Sequence, residues 1–248
     1  MKPENLISSR KTASVYRLDN TAVKVFNPKH PVSEVLNEAL NTARVEETGL
    51  NIPRILEISK IDNKWAITTE FIEGKTISKL MEENPDKIEY YINIMVDLQI
   101  AINEKKCPLL NRLKEKMSRQ IESLEELDNT IKYDLLTRLE GMPKHSKLCH
   151  GDFNPSNIIV TEDKVYVLDW AHAAQGNASA DVARTYLLFS LNSTEQAGIY
   201  LDLFCKKTNT SKQYVQRWLP IVAAAQLTKK RPKEKELLMK WLDVIEYE

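Results

Sequence analysis

The stretch "CHGDFNPSNIIVTEDKVYVLDWAH", residues 149–172, gathers polar groups around two strand-like runs. "NIIV" and "VYVLD" are rich in β-branched residues and are separated by the polar "TED", which predicts a hairpin closing near Asp163. With that closing point Asn157 falls opposite Asp169 at the open end. One amide oxygen and one carboxylate then meet at the strand mouth, just after the turn "HGDFNPS" that carries Asp152. A few protein oxygens brought together in this way suit Mg²⁺, which keeps waters and shares its shell with substrate phosphates. Pro155 stiffens the turn between Asp152 and Asn157. A carboxylate held there can accept a proton from a hydroxyl lying beside a metal-bound phosphate. His150 cannot share Asp152's face of an extended turn and is assigned to bracing the loop by side-chain hydrogen bonding.

Residues 1–72 read as a small, mostly β segment. "SVYRLDN" and "TAVKVF" are short alternating runs joined through Asp19-Asn20, a hairpin signal. After Pro31 the period changes: Val32, Leu36, Ala39, Leu40 and Ala43 lie at helical spacing, and Gly49 is placed to stop that helix. "RILEISKIDNKWAITTEF" then reads as two strands around Asp62-Asn63. From Gly74 the chain turns helical. Thr76 is a cap candidate, and Ile88, Tyr91, Ile92, Met95, Leu98 and Ile102 form one core stripe. Further helical stretches are expected at 109–127, 130–140, 178–190, 194–207, 212–226 and 234–246, interrupted by strands only in the stretch quoted first. The expected architecture is α+β: a β-rich lobe with one helix over 1–72, a connection near Glu70–Gly74, and a larger, mainly helical lobe over 73–248.

Composition narrows the function classes. The chain has 248 residues, enough for one large domain or two small lobes, and its formal charge is zero. No global field therefore recruits nucleic acid or an anionic membrane, and neither is expected as a partner. The N-terminus lacks the apolar core of a signal peptide, and no apolar run approaches the ~18 residues of a membrane span. Cys107, Cys149 and Cys205 show neither disulfide nor zinc spacing, which points to a reducing cytoplasm. The basic run from Lys229 to Lys235, interrupted by Glu234, reads as a solvated turn and helix start.

"HGDFNPSN" followed by "VLDW" resembles the catalytic signature of the aminoglycoside phosphotransferase and choline kinase family, whose fold is protein-kinase-like. The resemblance implies a two-lobe fold, Asp152 as catalytic base, and Asn157 and Asp169 as Mg²⁺ ligands. It implies that Asp181, in "SADVARTY", supports the catalytic loop from behind. It also implies a strand lysine for the nucleotide phosphates, met by Lys24 in "TAVKVF", and a helix glutamate to hold it. Glu34 and Glu38 both lie in the following helix, and the family's spacing to Pro53 favours Glu38. "TTEFIEG" falls at the adenine-binding hinge, so the backbone of Glu70, Phe71 and Ile72 is expected to meet the adenine edge. The nucleotide expected is ATP or GTP, with Mg²⁺.

One expected part is missing. The family's phosphate-covering loop usually contains glycine, because backbone N–H groups approach the phosphates closely. No glycine precedes Gly49, and the corresponding stretch is "SSRKTAS", in which Arg10 or Lys11 supplies charge. That departure motivates an alternative reading, a catalytically weak or dead pseudokinase that binds nucleotide or another ligand. A metal-dependent phosphohydrolase fits less well, since four histidines at these spacings supply too few convergent ligands. A protein kinase is disfavoured: the interval from Asp169 to Asp181 is too short for an activation segment, and Asn154 stands where protein kinases usually carry a lysine. The expected acceptor is a hydroxyl of a small molecule: an aminoglycoside, an amino alcohol or a sugar-like compound. Glu122, Glu125, Glu126 and Asp128 offer a surface for a cationic acceptor, although the plainer reading of that cluster is a solvated helix face.

Overall fold

A computed structural model describes residues 5–242. The expected helix end beyond 242 lies outside the described residues. The fold is α+β, with a small antiparallel sheet lobe and a helical lobe. By packing, the chain divides into two compact units: one takes the chain up to Leu80 together with Pro155–His172, the other Met81–Asn154 and the chain from Ala173 on. The hairpin of the first-quoted stretch thus belongs with the N-terminal strands.

The first unit is built on β1 (Leu6–Ser9), β2 (Ala13–Leu18), β3 (Thr21–Phe26), β4 (Ile55–Ile61) and β5 (Lys64–Glu70), in the order β1-β2-β3-β5-β4. The Asp62-Asn63 turn between β4 and β5 has φ of 48° and 60°, the left-handed pair that matches strand twist and that Asp and Asn tolerate. Between β3 and β4 lies α1 (Val32–Glu46), ended near Gly49 at φ 74°. Ala13, Phe26, Val35, Ala39 and Ile67 form the core between α1 and the sheet, with Ile55 and Trp65 packed against it.

The face of α1 differs from the expected one. Val35, Ala39, Asn41 and Val45 are buried, whereas Leu36 and Leu40 are 45% and 48% exposed. The helix is rotated so that Glu38 shares the inward face with Val35, Ala39 and Val45, and that rotation leaves Leu36 and Leu40 in solvent. A polar contact outranks two leucines here because Lys24, opposite, is charged and largely buried.

Also in this unit, β6 (Lys75–Thr76) pairs with β8 (Ile158–Val160), which pairs with β9 (Val165–Val167). The register is Ile158 opposite Val167, one residue tighter than the sequence reading, so Asn157 faces Leu168 and not Asp169. The reason is local. The Thr161 hydroxyl accepts from the N–H groups of Asp163 and Lys164, and the Thr161 N–H donates to Lys164 O at 2.9 Å. That turn closes one residue early.

The second unit is mainly helical. The chain enters it through α2 (Ile77–Glu83), where the Lys79 N–H donates to the hydroxyl of the expected cap, Thr76, at 3.2 Å. Then follow α3 (Ile88–Glu104), α4 (Leu113–Glu122), α5 (Asn129–Gly141), α6 (Ala178–Ser190), α7 (Thr194–Thr208), α8 (Lys212–Gln216), α9 (Leu219–Leu227) and α10 (Pro232–Leu242). The stretch expected as one helix over 212–226 is two, with Pro220 in the first turn of α9, where its missing N–H costs nothing. Two short strands not anticipated, β7 (Lys147–Cys149) and β10 (Ala174–Gly176), pair antiparallel on either side of residues 150–173. Among the described residues no helix is long and apolar enough to cross a membrane.

Gly74 lies where a Cβ would come within 2.5 Å of Val160 O and 2.7 Å of Ile159 Cγ2, at the strand that leads back to Asn157. Gly74→Ala should therefore lower stability by about 1–3 kcal/mol, the usual penalty of overpacking. Urea unfolding should show this as a lower midpoint at unchanged slope.

Candidate active site

In the first unit three predicted residues converge. Lys24, central on β3, donates to Glu38 Oε1 at 2.6 Å and lies 3.6 Å from Asp169 Oδ1. Arg10, in the tight turn between β1 and β2, approaches Asp169 Oδ2 at 3.8 Å. Burial works against the Lys24 ammonium, but the carboxylates of Asp169 and Glu38 more than offset it, and its pKa lies above the ordinary lysine value. Burial likewise holds the Glu38 carboxyl above the usual carboxylate range, against the pull of Lys24. Of the two candidates for this pairing, Glu34 and Glu38, the partner is Glu38.

Asp169 sits just past the end of β9 with φ 60°, a left-handed conformation in which an Asp is far more often found than a branched or bulky residue. Leu168 N–H donates to Asn157 O at 2.8 Å, so the two candidate metal ligands are one rung apart at the mouth of the hairpin. The short helical turn Trp170–His172 that follows is fixed in place by two bonds. Asn41 of α1 donates to Ala171 O at 3.2 Å, and the buried Trp170 indole donates to Val167 O at 3.1 Å. The donor set is one amide and one carboxylate. Among the described residues no three His, Cys, Asp or Glu side chains group as a metal cage. Such a set fits a hard divalent cation that completes its shell with water and phosphate oxygens, and not a thiolate- or imidazole-bound metal.

Of the residues expected at the hinge, Glu70 ends β5 and Phe71 and Ile72 follow it. The N–H groups of Glu70 and Phe71 are committed within the unit, to Arg54 O and Asn20 O, both at 3.0 Å. The Glu70 carboxylate is held by the Arg54 guanidinium, which keeps its pKa below the usual range, and the Arg17 guanidinium lies 4.1 Å from the Phe71 ring centroid.

The stretch expected to be the catalytic loop belongs to the second unit as far as Asn154. Gly151 at φ 79° turns the chain, and the Asp181 carboxylate at the start of α6 accepts the N–H groups of His150 and Gly151 at 3.1 and 2.8 Å. Gln99 of α3 donates to the same carboxylate at 3.1 Å and meets the Tyr200 hydroxyl with its oxygen. His150 is fully buried, and its Nδ1 accepts the Asp152 N–H at 3.1 Å, the bracing role expected of it. Asn154 donates to Asp152 O at 2.8 Å.

Two cations on Asp152 were not anticipated. Lys229 Nζ lies 3.2 Å from Asp152 Oδ1, and Arg184 Nη2 lies 3.6 Å from the same oxygen. Arg184 is anchored by bonds to Gly151 O and, at 2.9 Å, to Gln226 Oε1. Lys229 is thus not part of a solvated turn. The overlooked signal was the preceding run "LPIVAAAQL", in which every residue is buried. A helix that is apolar all round carries whatever follows it into the interior. The acidic cluster, by contrast, is engaged locally: Asp128 caps α5, Glu126 pairs with Lys235 at 2.7 Å, and Glu122 accepts from Ser118.

The sequence pattern of the APH phosphotransferase enzyme family matches residues 5–218. A LicA homolog of Mycoplasma capricolum is 26% identical over 196 residues, covering 76% of this chain and 74% of its own. Among solved structures, a thermostable mutant of aminoglycoside phosphotransferase APH(4)-Ia, in ternary complex with AMP-PNP and hygromycin B, superposes with a TM-score of 0.70. Its identity is 12%, over 96% of this chain and 89% of that one. The amicoumacin kinase hAmiN, in complex with AMP-PNP, Ca²⁺ and Ami, gives a TM-score of 0.66 at 12% identity, over 97% and 87%. These two likenesses show the fold.

Because Lys24 has a raised pKa, its ion pair contributes fully below the unfolded lysine value of about 10.4 and is lost as pH rises through the higher folded value. Lys24→Met should therefore be less stable than wild type by up to about 3–5 kcal/mol at pH 6 and at pH 8 alike. The two unfolding curves in urea should converge only at alkaline pH, beyond the raised folded value.

Proposed function

The chain belongs to the APH phosphotransferase enzyme family, and from that premise we propose that it moves the γ-phosphate of ATP or GTP to a hydroxyl of a small molecule. The observation that carries this reading is the cluster of Lys24, Glu38 and Asp169. It joins a strand cation, a helix carboxylate and a hairpin-mouth carboxylate within ion-pair distance. A strand lysine held charged by two carboxylates is suited to align nucleotide phosphates.

In this reading Asp152 accepts the proton of the acceptor hydroxyl as its oxygen bonds to phosphorus and the bond to the nucleoside diphosphate breaks. Asn157 and Asp169 would hold Mg²⁺, which when bound offsets charge on the phosphates. The rest falls to the protein's own residues. Lys24, kept in place by Glu38, orients the phosphates. Asp181 and His150 fix the loop so that the Asp152 carboxylate does not wander. Residues 70–72 take the adenine edge. With the Glu70 and Phe71 N–H groups engaged in the fold, that contact falls to carbonyl oxygens and the Ile72 N–H. In functional terms residues 1–72 form the nucleotide lobe, and 73–248 carry the catalytic loop and the acceptor site.

The acceptor class proposed is an aminoglycoside, amino alcohol or sugar-like hydroxyl compound. The local partners of Glu122, Glu126 and Asp128 weigh against that acidic cluster as its recognition surface. Cys107, Cys149 and Cys205, none of them in a disulfide, support a cytoplasmic placing. The glycine-free turn favours one second reading, a pseudokinase that binds nucleotide without turnover.

The test is a panel of aminoglycosides, amino alcohols and sugars with Mg²⁺-ATP, followed by ADP release. Turnover with any member supports the kinase; nucleotide binding with none supports the second reading. Asp152→Asn should lower kcat by about 10²–10⁴ while leaving nucleotide affinity within a few-fold. Asp169→Ala should remove the Mg²⁺-dependent part of nucleotide binding, and calorimetry with unchanged affinity would refute its metal role.

A further inference from the structure

The loop from Cys149 to Asn157 contains no lysine or arginine, yet the chemistry proposed for it brings a highly anionic phosphate towards an anionic carboxylate. An acceptor oxygen that gives its proton to Asp152 lies about 2.6–3.2 Å from it. In a near-attack arrangement the same oxygen lies roughly 3–3.5 Å from phosphorus. The carboxylate and the transferring group are therefore close neighbours, and their repulsion must be offset within that distance.

The fold supplies the offset from outside the loop. Arg184 comes from α6 and Lys229 from the turn that ends α9, and both converge on Oδ1 of Asp152, at 3.6 and 3.2 Å. Two cations thus face one oxygen of the carboxylate. The two cations are not equivalent. Arg184 is engaged by Gly151 O and Gln226 Oε1, so its place in the fold is structural as well. Lys229 reaches in on a flexible stem from a backbone pinned to Gln226 O at 3.0 Å. An ammonium has three donors, of which one serves Asp152.

We infer that Lys229 is a positioning residue for the transfer: it engages Oδ1 of Asp152, so that Oδ2 takes the hydroxyl proton, and it neutralises the base as the phosphate arrives. Two further observations agree. Asn154 lies on the other side of the carboxylate, its amide 3.5 Å from Oδ2, so the two oxygens face different groups. Burial, followed by the repulsion of Arg184, holds the Lys229 pKa below the ordinary lysine value. An added anion relieves that condition.

This inference rests on the kinase reading, and the experiment separates the two. Lys229→Met and Lys229→Arg are compared with wild type on the first acceptor that the panel turns over. Lys229→Met should lower kcat by about 10²-fold, with acceptor KM and ADP affinity within about twofold. Lys229→Arg should recover most of the loss. Calorimetry should show AMP-PNP bound about tenfold more weakly by Lys229→Met and ADP bound as in wild type, a difference that a purely structural role would not produce. In an Asp152→Asn background the further loss from Lys229→Met should shrink to less than about threefold, because the charge it offsets is gone. Wild-type kcat in Lys229→Met overturns the inference, as does an undiminished further loss in the Asp152→Asn background. Should Lys229→Met fail to fold, Lys229→Gln serves in its place, and wild-type kcat in that variant overturns the inference equally. A wild-type protein that turns over no acceptor overturns the kinase reading itself, and the inference with it.

Discussion

A charge removed from water must find its opposite, and Lys24 on β3 is where that demand shapes the first unit. An unpaired ammonium there would cost several kcal/mol, or the group would give up its proton. The helix α1 answers by turning Glu38 inward, and the hairpin answers by ending in Asp169. The price of that arrangement is visible on the outside of α1, where Leu36 and Leu40 stand in solvent. A helix oriented by hydrophobicity alone would have buried them. The same rotation places Asn41 where it can bind Ala171 O, so the turn after Asp169 is tied to the helix that carries Glu38. One ion pair thus coordinates a strand, a helix and a loop.

The second unit meets the same demand with the signs reversed. There the loop supplies an anion, Asp152, and the helices supply the cations. Asp181 performs a separate task on the backbone behind it, satisfying two N–H groups that a loop bent at Gly151 cannot pair by itself. Gln99 and Tyr200 in turn engage Asp181 and Gln99, so a chain of buried polar groups leads from α7 to the loop. Such a network holds the loop rigidly because each member is satisfied by the next.

Relatives of the same fold show how little of this depends on overall sequence. At 12% identity the APH(4)-Ia structure and this chain retain a common fold over nearly the whole chain. What the fold asks of this chain is physical: alternation in the strands, apolar faces on the helices, and buried charges in pairs. The turn between β1 and β2 meets its own condition without glycine. Arg10 N–H donates to Ala13 O at 2.9 Å, and the Ser9 and Ser14 hydroxyls bond across the strands at 3.0 Å.

What could be read from the sequence was whatever depends on neighbours along the chain. The Asp62-Asn63 and Asp19-Asn20 turns, the period of α3, the Thr76 cap and the strand-turn-strand after Asn157 all follow from residues within a few positions of one another. Even there a threonine hydroxyl moved the hairpin by one rung, because side-chain bonds inside a turn are not visible to a count of residues. The choice of Glu38 needed a family pattern as well as the helix period, since Glu34 lies on the same helix. Which face α1 buries, and that Arg184 and Lys229 meet Asp152, were decided by tertiary structure alone; that Asp181 backs the loop followed from the family pattern, and the fold supplied its partners, the His150 and Gly151 amides. Those contacts join residues 30 to 77 positions apart. No local propensity encodes them; they exist because packing the apolar faces brings the charges near, and burial then forces them to pair.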